Sequence, residues 1–221
     1  MGIIKEEQQE QLKERFKELD GDVKLIVFTQ ENECHYCKET RQLMEDIAAL
    51  SDKIAVEVYD FVADKDKVEK YMIDKIPATV IEGEKDYGIR FYGIPAGYEF
   101  VSLIGSIGLA AKGESDLSEE TKTALSQLKD AVHIQVFITL TCPYCPGAVE
   151  IAHKLAIESE LITADMVESA EFPHLTQKYG VMAVPKVVVN EDTQFEGALP
   201  EEEFVENVMK VLESPETEGQ E

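Results

Sequence analysis

Basic side chains are scarce in this sequence: 21 Lys and Arg face 45 Asp and Glu, which leaves a net charge of −24. A surface that acidic repels phosphate backbones and anionic lipid headgroups, so nucleic acid and membrane surfaces are excluded as partners. Long apolar runs are missing as well, and none approaches the ~18–20 residues of a membrane-spanning helix. The first residues, Met1-Gly-Ile-Ile-Lys-Glu-Glu7, hold no apolar stretch of the kind a secretory signal needs, so none is expected. Position 6 is Glu, where a myristoylation signal wants Ser or Thr. Cysteine is sparse: four residues are too few for a disulfide-stapled secreted scaffold. Apolar residues are not sparse. At 44% they suffice for real cores and exclude a disordered chain.

The few cysteines are not scattered. They form two C-x-x-C pairs, Cys34/Cys37 and Cys142/Cys145, and no thiol lies outside a pair. The step from one pair to the other is 108 residues, and the same step carries Tyr36 to Tyr144, Tyr71 to Tyr179 and Pro77 to Pro185. Further on it shortens to 104, taking Phe91, Gly93 and Phe100 to Phe195, Gly197 and Phe204. A duplicated unit of about 110 residues is too long for a solenoid repeat and suits a small domain. The polar stretch Lys112-Gly-Glu-Ser-Asp116 marks the seam, with Asp116 or Ser118 able to cap a new helix. The expected units are residues 1–115 and 116–213, followed by an acidic tail at 214–221.

Each unit repeats one order of elements. A helix (6–19; 119–129) precedes a β-branched, apolar strand (23–29; 132–139) that reads as buried and central. The C-x-x-C follows, then a long helix striped by Leu43, Met44, Ile47 and Leu50, or by Val149, Ala152, Leu155 and Ala156. A second strand (54–61; 162–169) and a short helix come next. A proline then opens a hairpin (78–82 with 88–92; 186–190 with 194–196), and a last helix closes the unit (96–107; 201–212). This order predicts an α/β fold, with a mixed central sheet and helices on both faces of each unit.

A C-x-x-C where a central strand passes into a helix sets its first thiol at the helix N-terminus. Free backbone N–H groups there favour the thiolate. Such a thiolate attacks a partner's disulfide, and the second thiol resolves the mixed disulfide. Pro143 suits the first helical turn, which has no use for its N–H. Ile76-Pro77 and Val184-Pro185 each stand before a strand, forty residues beyond the second cysteine of their unit. A trans proline there is a plain turn. A cis one leaves the backbone of Ile76 and Val184 free to pair with an extended substrate, and the matched spacing favours it.

Both units resemble thioredoxin-fold domains, and Cys142-Pro-Tyr-Cys145 is the glutaredoxin-type motif. The chain as a whole, up to its acidic tail, resembles the glutaredoxin-like protein disulfide oxidoreductases of thermophilic archaea and bacteria, in which two thioredoxin-fold units are fused in tandem. Tyr179-Gly-Val-Met-Ala-Val-Pro-Lys186 and Phe91-Tyr-Gly-Ile-Pro-Ala-Gly-Tyr-Glu-Phe100 carry that likeness beyond the cysteines. The resemblance implies a cytoplasmic enzyme with Cys34 and Cys142 as nucleophiles, Cys37 and Cys145 as resolving thiols, and cis prolines at 77 and 185. It implies no bound cofactor beyond the redox-active disulfides themselves. Its substrates would be protein disulfides or thiols, recharged by an NADPH-dependent flavoenzyme of the thioredoxin-reductase kind.

The departures are informative. Thioredoxins proper carry a buried aspartate six residues before the first cysteine, where Phe28 and Val136 stand here. Asp60 and Glu168, matched near the ends of the second strands, are the candidate proton acceptors, against an ordinary role as solvated acids. Protonated His35 would stabilise a Cys34 thiolate. Tyr36 and Tyr144 either face substrate or pack beside the disulfides. Lys186 alone suits glutathione carboxylates, so glutathione dependence is not expected. Motif composition favours the Cys142 site as the more reducing centre. Competing readings are an electron relay between a flavin-dependent reductase and a peroxidase, a docking module, and a four-cysteine metal site. The last is disfavoured because a zinc ribbon wants ~15–20 residues between its pairs.

Overall fold

The computed structural model describes residues 3–212; Met1, Gly2 and the acidic tail expected at 214–221 lie outside the described residues. Strand β1 (Val23–Thr29) alternates between two apolar layers, Leu25 and Val27 entering one and Ile26 and Phe28 the other. A strand buried on both faces needs no polar alternation, which is why it reads as a continuous apolar run. β5 (Val132–Ile138) repeats this. Beside β1 lie β2 (Ile54–Asp60, parallel) and β3 (Ala78–Glu82, antiparallel), with β4 (Asp86–Tyr92) hairpinned onto β3. The second unit builds the same half-sheet from β6 (Ile162–Glu168), β7 (Lys186–Val189) and β8 (Thr193–Glu196) around β5.

The expected mixed sheets are present, but they are not separate. β4 pairs in parallel with β6, Ile89–Tyr92 lying against Ala164–Val167, so one sheet runs β2-β1-β3-β4-β6-β5-β7-β8. Helices cover both faces unequally. One layer takes α1 (Glu6–Lys17), α2 (Cys37–Ala48), α4 (Glu99–Lys112), α5 (Glu119–Leu125), α6 (Cys145–Glu158) and α8 (Glu201–Met209). The other takes the short α3 (Lys65–Lys70) and α7 (Pro173–Lys178), flanked by Tyr71, Ile73, Phe172 and Tyr179. Residues 113–118 connect α4 to α5, and of the two possible caps it is Ser118 whose side chain accepts the Thr121 N–H. Among the described residues no helix is long and apolar enough to cross a membrane.

β1, β4, β6 and β5 all point the same way, so both C-x-x-C motifs leave the sheet at the same end of its strands. Four inter-strand steps separate β1 from β5, a span of roughly 19 Å within the sheet.

The units are also joined across the helical layer. α4 runs beside α6, with Ser106 Oγ 2.8 Å from His153 Nδ1 and the Glu158 carboxylate accepting the Ser115 N–H at 2.9 Å. His153 is wholly buried, and desolvation pushes it down to about 4, so it is neutral. On the opposite face His133 lies 2.6 Å from the buried Asp165, and the buried Arg90 guanidinium grips Asp86 through both oxygens. Asp165 and Arg90 are register partners across the β4–β6 seam. These histidines and ions belong to the join between units, not to the cysteine sites.

Candidate active site

Both cysteine pairs are closed as disulfides, Cys34–Cys37 and Cys142–Cys145. The long helices begin at the second cysteine of each pair, with Tyr36 and Tyr144 as their caps. The first cysteine therefore lies in the turn ahead of the helix, and Pro146, not Pro143, occupies the first helical turn. The electrostatic consequence survives this shift: the Cys145 N–H points at Cys142 Sγ, 3.1 Å away. A hydrogen bond from a helix N-terminus stabilises negative charge on that sulfur when the disulfide opens.

The two prolines complete each site. Ile76–Pro77 and Val184–Pro185 are cis peptides. The Val184 carbonyl oxygen lies 3.8 Å from Cys142 Sγ, so this proline loop borders the disulfide. Tyr36 and Tyr144 are both exposed, pointing away from the core.

The sites differ in their surroundings. β2 is an outer strand, and beside it a groove of about 590 Å³ opens along Thr29, Cys34, Cys37, Arg41, Tyr59 and Asp60. β6 is interior, and the second disulfide is correspondingly closed in: Cys142 and Cys145 are both buried. Part of that enclosure comes from the first unit. The Tyr98 N–H donates to the Leu140 carbonyl two residues before Cys142, and Gly97, at φ +59°, lies so close that a Cβ would strike the same oxygen.

Of the two acids expected as proton acceptors, Asp60 lines the first groove with Cys34 and Cys37. Its Oδ1 accepts the Val62 and Ala63 N–H groups at 2.9 and 2.8 Å, closing its own turn. Glu168 is buried and raised by desolvation, and it accepts the Glu171 N–H at 2.8 Å. The structure brings a third acid that sequence reasoning passed over. Glu99, the first residue of α4, is fully buried; Oε2 accepts the Ser102 hydroxyl at 2.6 Å and Oε1 has no partner among the described residues. Desolvation raises it to about 7. The Tyr98–Leu140 and Ser106–His153 bonds on either side of it tie this helix to the second unit. The signal was available, since Glu99 shares the helical face of Leu103 and Ile107.

The family described as "Thioredoxin domain" matches the chain twice, over residues 23–104 and 132–210. The crystal structure of a protein disulfide oxidoreductase from Aeropyrum pernix superposes with a TM-score of 0.88 at 33% identity, covering 95% of this chain and 94% of that one. The structure of an alkylhydroperoxide reductase component from Enterococcus faecalis gives a TM-score of 0.85 at 26% identity, covering 93% and 99%. A Bacillus subtilis protein named NADH dehydrogenase is 25% identical over 88% of this chain and 36% of its own length. The chain spans well under half the length of the curated relatives it matches.

Proposed function

This chain belongs to the thioredoxin-domain family, and from that premise we propose that it is a thiol–disulfide oxidoreductase acting on protein disulfides. It works through two centres, one in each of the units 1–115 and 116–213. The observation that carries the reading is the second site: a closed C-x-x-C disulfide whose first sulfur accepts a helix N-terminal N–H and borders the Val184 carbonyl.

In the reducing direction the dithiol form starts the cycle. The Cys142 thiolate attacks one sulfur of a client disulfide, forms a mixed disulfide and releases a client thiolate. Cys145 loses its proton and attacks Cys142 Sγ; the ring closes and the second client thiolate leaves. Two electrons and two protons pass from the enzyme to the client, and the reverse sequence oxidises a client dithiol. The buried Glu168 and Glu99, the latter ionised above about pH 7, are the candidate acceptors for the Cys145 proton. Cys34 and Cys37 perform the same steps at the first site, with Asp60 as the acid nearest that groove. Ile76, Pro77, Val184 and Pro185 border the substrate path, with Tyr36 and Tyr144 at its rim.

The relatives' names support a pyridine-nucleotide-dependent flavoenzyme as the supplier of electrons, and a cytoplasmic setting accords with that partner. They also favour a second reading, in which the chain relays electrons from such a flavoenzyme to a peroxidase. The intact first C-x-x-C argues for protein disulfides as the principal substrate. A four-thiolate metal site would need both pairs on one ion, whereas they leave the sheet four strands apart. The test is turnover of a disulfide-bonded protein such as insulin with dithiothreitol as reductant. Cys142→Ser is expected to remove most of the activity and Cys34→Ser less. Full activity in the doubly substituted chain would refute the reading.

A further inference from the structure

Each proline loop is held by one backbone bond, and the duplication repeats it. The Pro77 carbonyl oxygen accepts the Gly93 N–H at 2.9 Å, and the Pro185 carbonyl oxygen accepts the Gly197 N–H at 2.9 Å. Ala78 lies opposite Phe28 near the end of β1, so the bonded Pro77 carbonyl sits where the chain leaves the strand toward Cys34. What stands over the glycine differs between the units. At Gly197, φ +101°, a Cβ would meet only Leu199 within 4 Å. At Gly93, φ +91°, it would strike the Glu168 Cβ and Glu171 Oε1, both 2.7 Å away. Glu171 belongs to the second unit, in the turn between β6 and α7. Its Oε1 accepts the Ile94 N–H at 2.7 Å. Phe172 beside it meets Tyr92 edge to face, ring centroids 6.4 Å apart, so the turn is seated on the end of β4.

The turn itself is duplicated, and the carboxyl is not. Glu171 donates its N–H to Glu168 Oε2 at 2.8 Å, as Ala63 donates its own to Asp60 Oδ1 at 2.8 Å. Ala63 is the match of Glu171 at the 108-residue step, so the shape of the turn needs no acid there. Burial and the neighbouring Glu168 carboxyl both disfavour a charge at this position, and the Ile94 bond opposes them. The one bond this side chain makes across the join therefore goes to the segment that holds Pro77. Two bonds run in series: Glu171 fixes Ile94, and the adjoining Gly93 fixes the Pro77 carbonyl.

We propose that Glu171 of the second unit is a positioning residue of the first site, fixing the Gly93–Ile94 segment and through it the Pro77 loop along which a protein substrate lies. It acts on the reacting sulfurs only through this backbone. The proposal rests on the reading of both sites as thiol–disulfide exchange centres. It makes the support between units mutual, since Tyr98 of the first unit ties down Leu140 ahead of Cys142.

The test uses the full chain with one pair removed, as Cys142→Ser/Cys145→Ser to read the first site or Cys34→Ser/Cys37→Ser to read the second. Insulin with dithiothreitol gives KM and kcat for a protein substrate. Dithiodipyridine, added to the dithiol form without dithiothreitol, reports the sulfurs alone: one enzyme dithiol becomes a disulfide and two thiopyridones are released. Glu171→Ala is expected to raise KM for insulin about fivefold at the first site, with kcat within about twofold. The second site's KM and the dithiodipyridine rates of both sites should not change. Glu171→Gln keeps an oxygen for the Ile94 N–H and should restore the first site. Should Glu171→Ala fail to fold, Glu171→Leu fills its space without an acceptor, and the same rise in KM is expected. An unchanged first-site KM, an equal rise at both sites, or a Gln variant as impaired as the Ala variant would overturn the positioning role and leave the exchange reading standing. A parent chain that neither turns over insulin nor releases thiopyridone from either pair would overturn the exchange reading and this proposal with it.

Discussion

Burial holds the Glu99 carboxyl protonated up to about pH 7, because an ionised oxygen without a partner loses its water and gains nothing in return. The stability consequence has a definite sign. The unfolded carboxyl titrates near 4.5, so between that value and 7 the folded state keeps a proton the unfolded state has shed. The contribution is complete below pH 4.5 and lost as pH rises through 7, on the order of 3 kcal/mol in all. Thermal unfolding of the oxidised protein should therefore show Tm falling from about pH 5 to about pH 8. Glu99→Gln should lose part of that slope, with Glu171, which burial also raises to about 7, supplying part of the remainder. An unchanged slope would contradict this assignment of Glu99. At this scale the cysteines and prolines were legible because the chain repeats them at one spacing. For Glu99 the only signal was its place on the face of Leu103 and Ile107; the repeat gave none, because its counterpart at the 104-residue step is Glu203, an exposed acid. Identical residue types on matched helices conceal that one helix is covered by a second unit and the other is not.

Elements decide where the second site is enclosed. The spacing predicts a last helix over 96–107 in the first unit, whereas α4 runs Glu99–Lys112. Residues 96–98 stay outside it because Gly97 takes a left-handed φ of +59°, and the Tyr98 N–H, free at the helix start, goes to the Leu140 carbonyl of the neighbouring unit, a contact no local periodicity encodes. Gly113, at φ +68°, ends the helix in the left-handed conformation that glycine adopts without strain. Gly97→Ala should be costly on two counts, its positive φ and the collision with the Leu140 carbonyl oxygen. A loss of about 1–3 kcal/mol in urea unfolding is expected, with slower exchange at the Cys142 site and little change at Cys34. Gly105, inside the same helix, has open space within 4 Å of the point where a Cβ would stand, and Gly105→Ala should be neutral or stabilise by up to about 1 kcal/mol. Equal effects of the two substitutions would mean that the 96–98 segment does not support the site.

At the scale of the whole molecule, duplication was plain in the sequence and fusion of the sheets was not. The repeat fixes what each unit contains, but says nothing of which edge of one meets the other. The trace it leaves is a difference in burial: β2 is half-exposed along most of its length, while β6, its counterpart, is buried almost throughout because β4 and α6 cover it. A continuous sheet and the shared α4–α6 layer predict one cooperative unfolding transition, coincident by far- and near-ultraviolet circular dichroism. Two resolved transitions would show that the units fold independently.

The most direct test of the central claim is a redox titration of metal-free protein in dithiothreitol and glutathione buffers, read by differential alkylation and mass spectrometry. Each pair, Cys34/Cys37 and Cys142/Cys145, is predicted to cycle independently between dithiol and intramolecular disulfide. Both potentials should fall in or near the range of roughly −120 to −270 mV spanned by known oxidoreductases, with the second pair the more reducing. Thiols that stay unreactive while zinc co-purifies in stoichiometric amount would contradict the account, and the same four residues would then be a metal site.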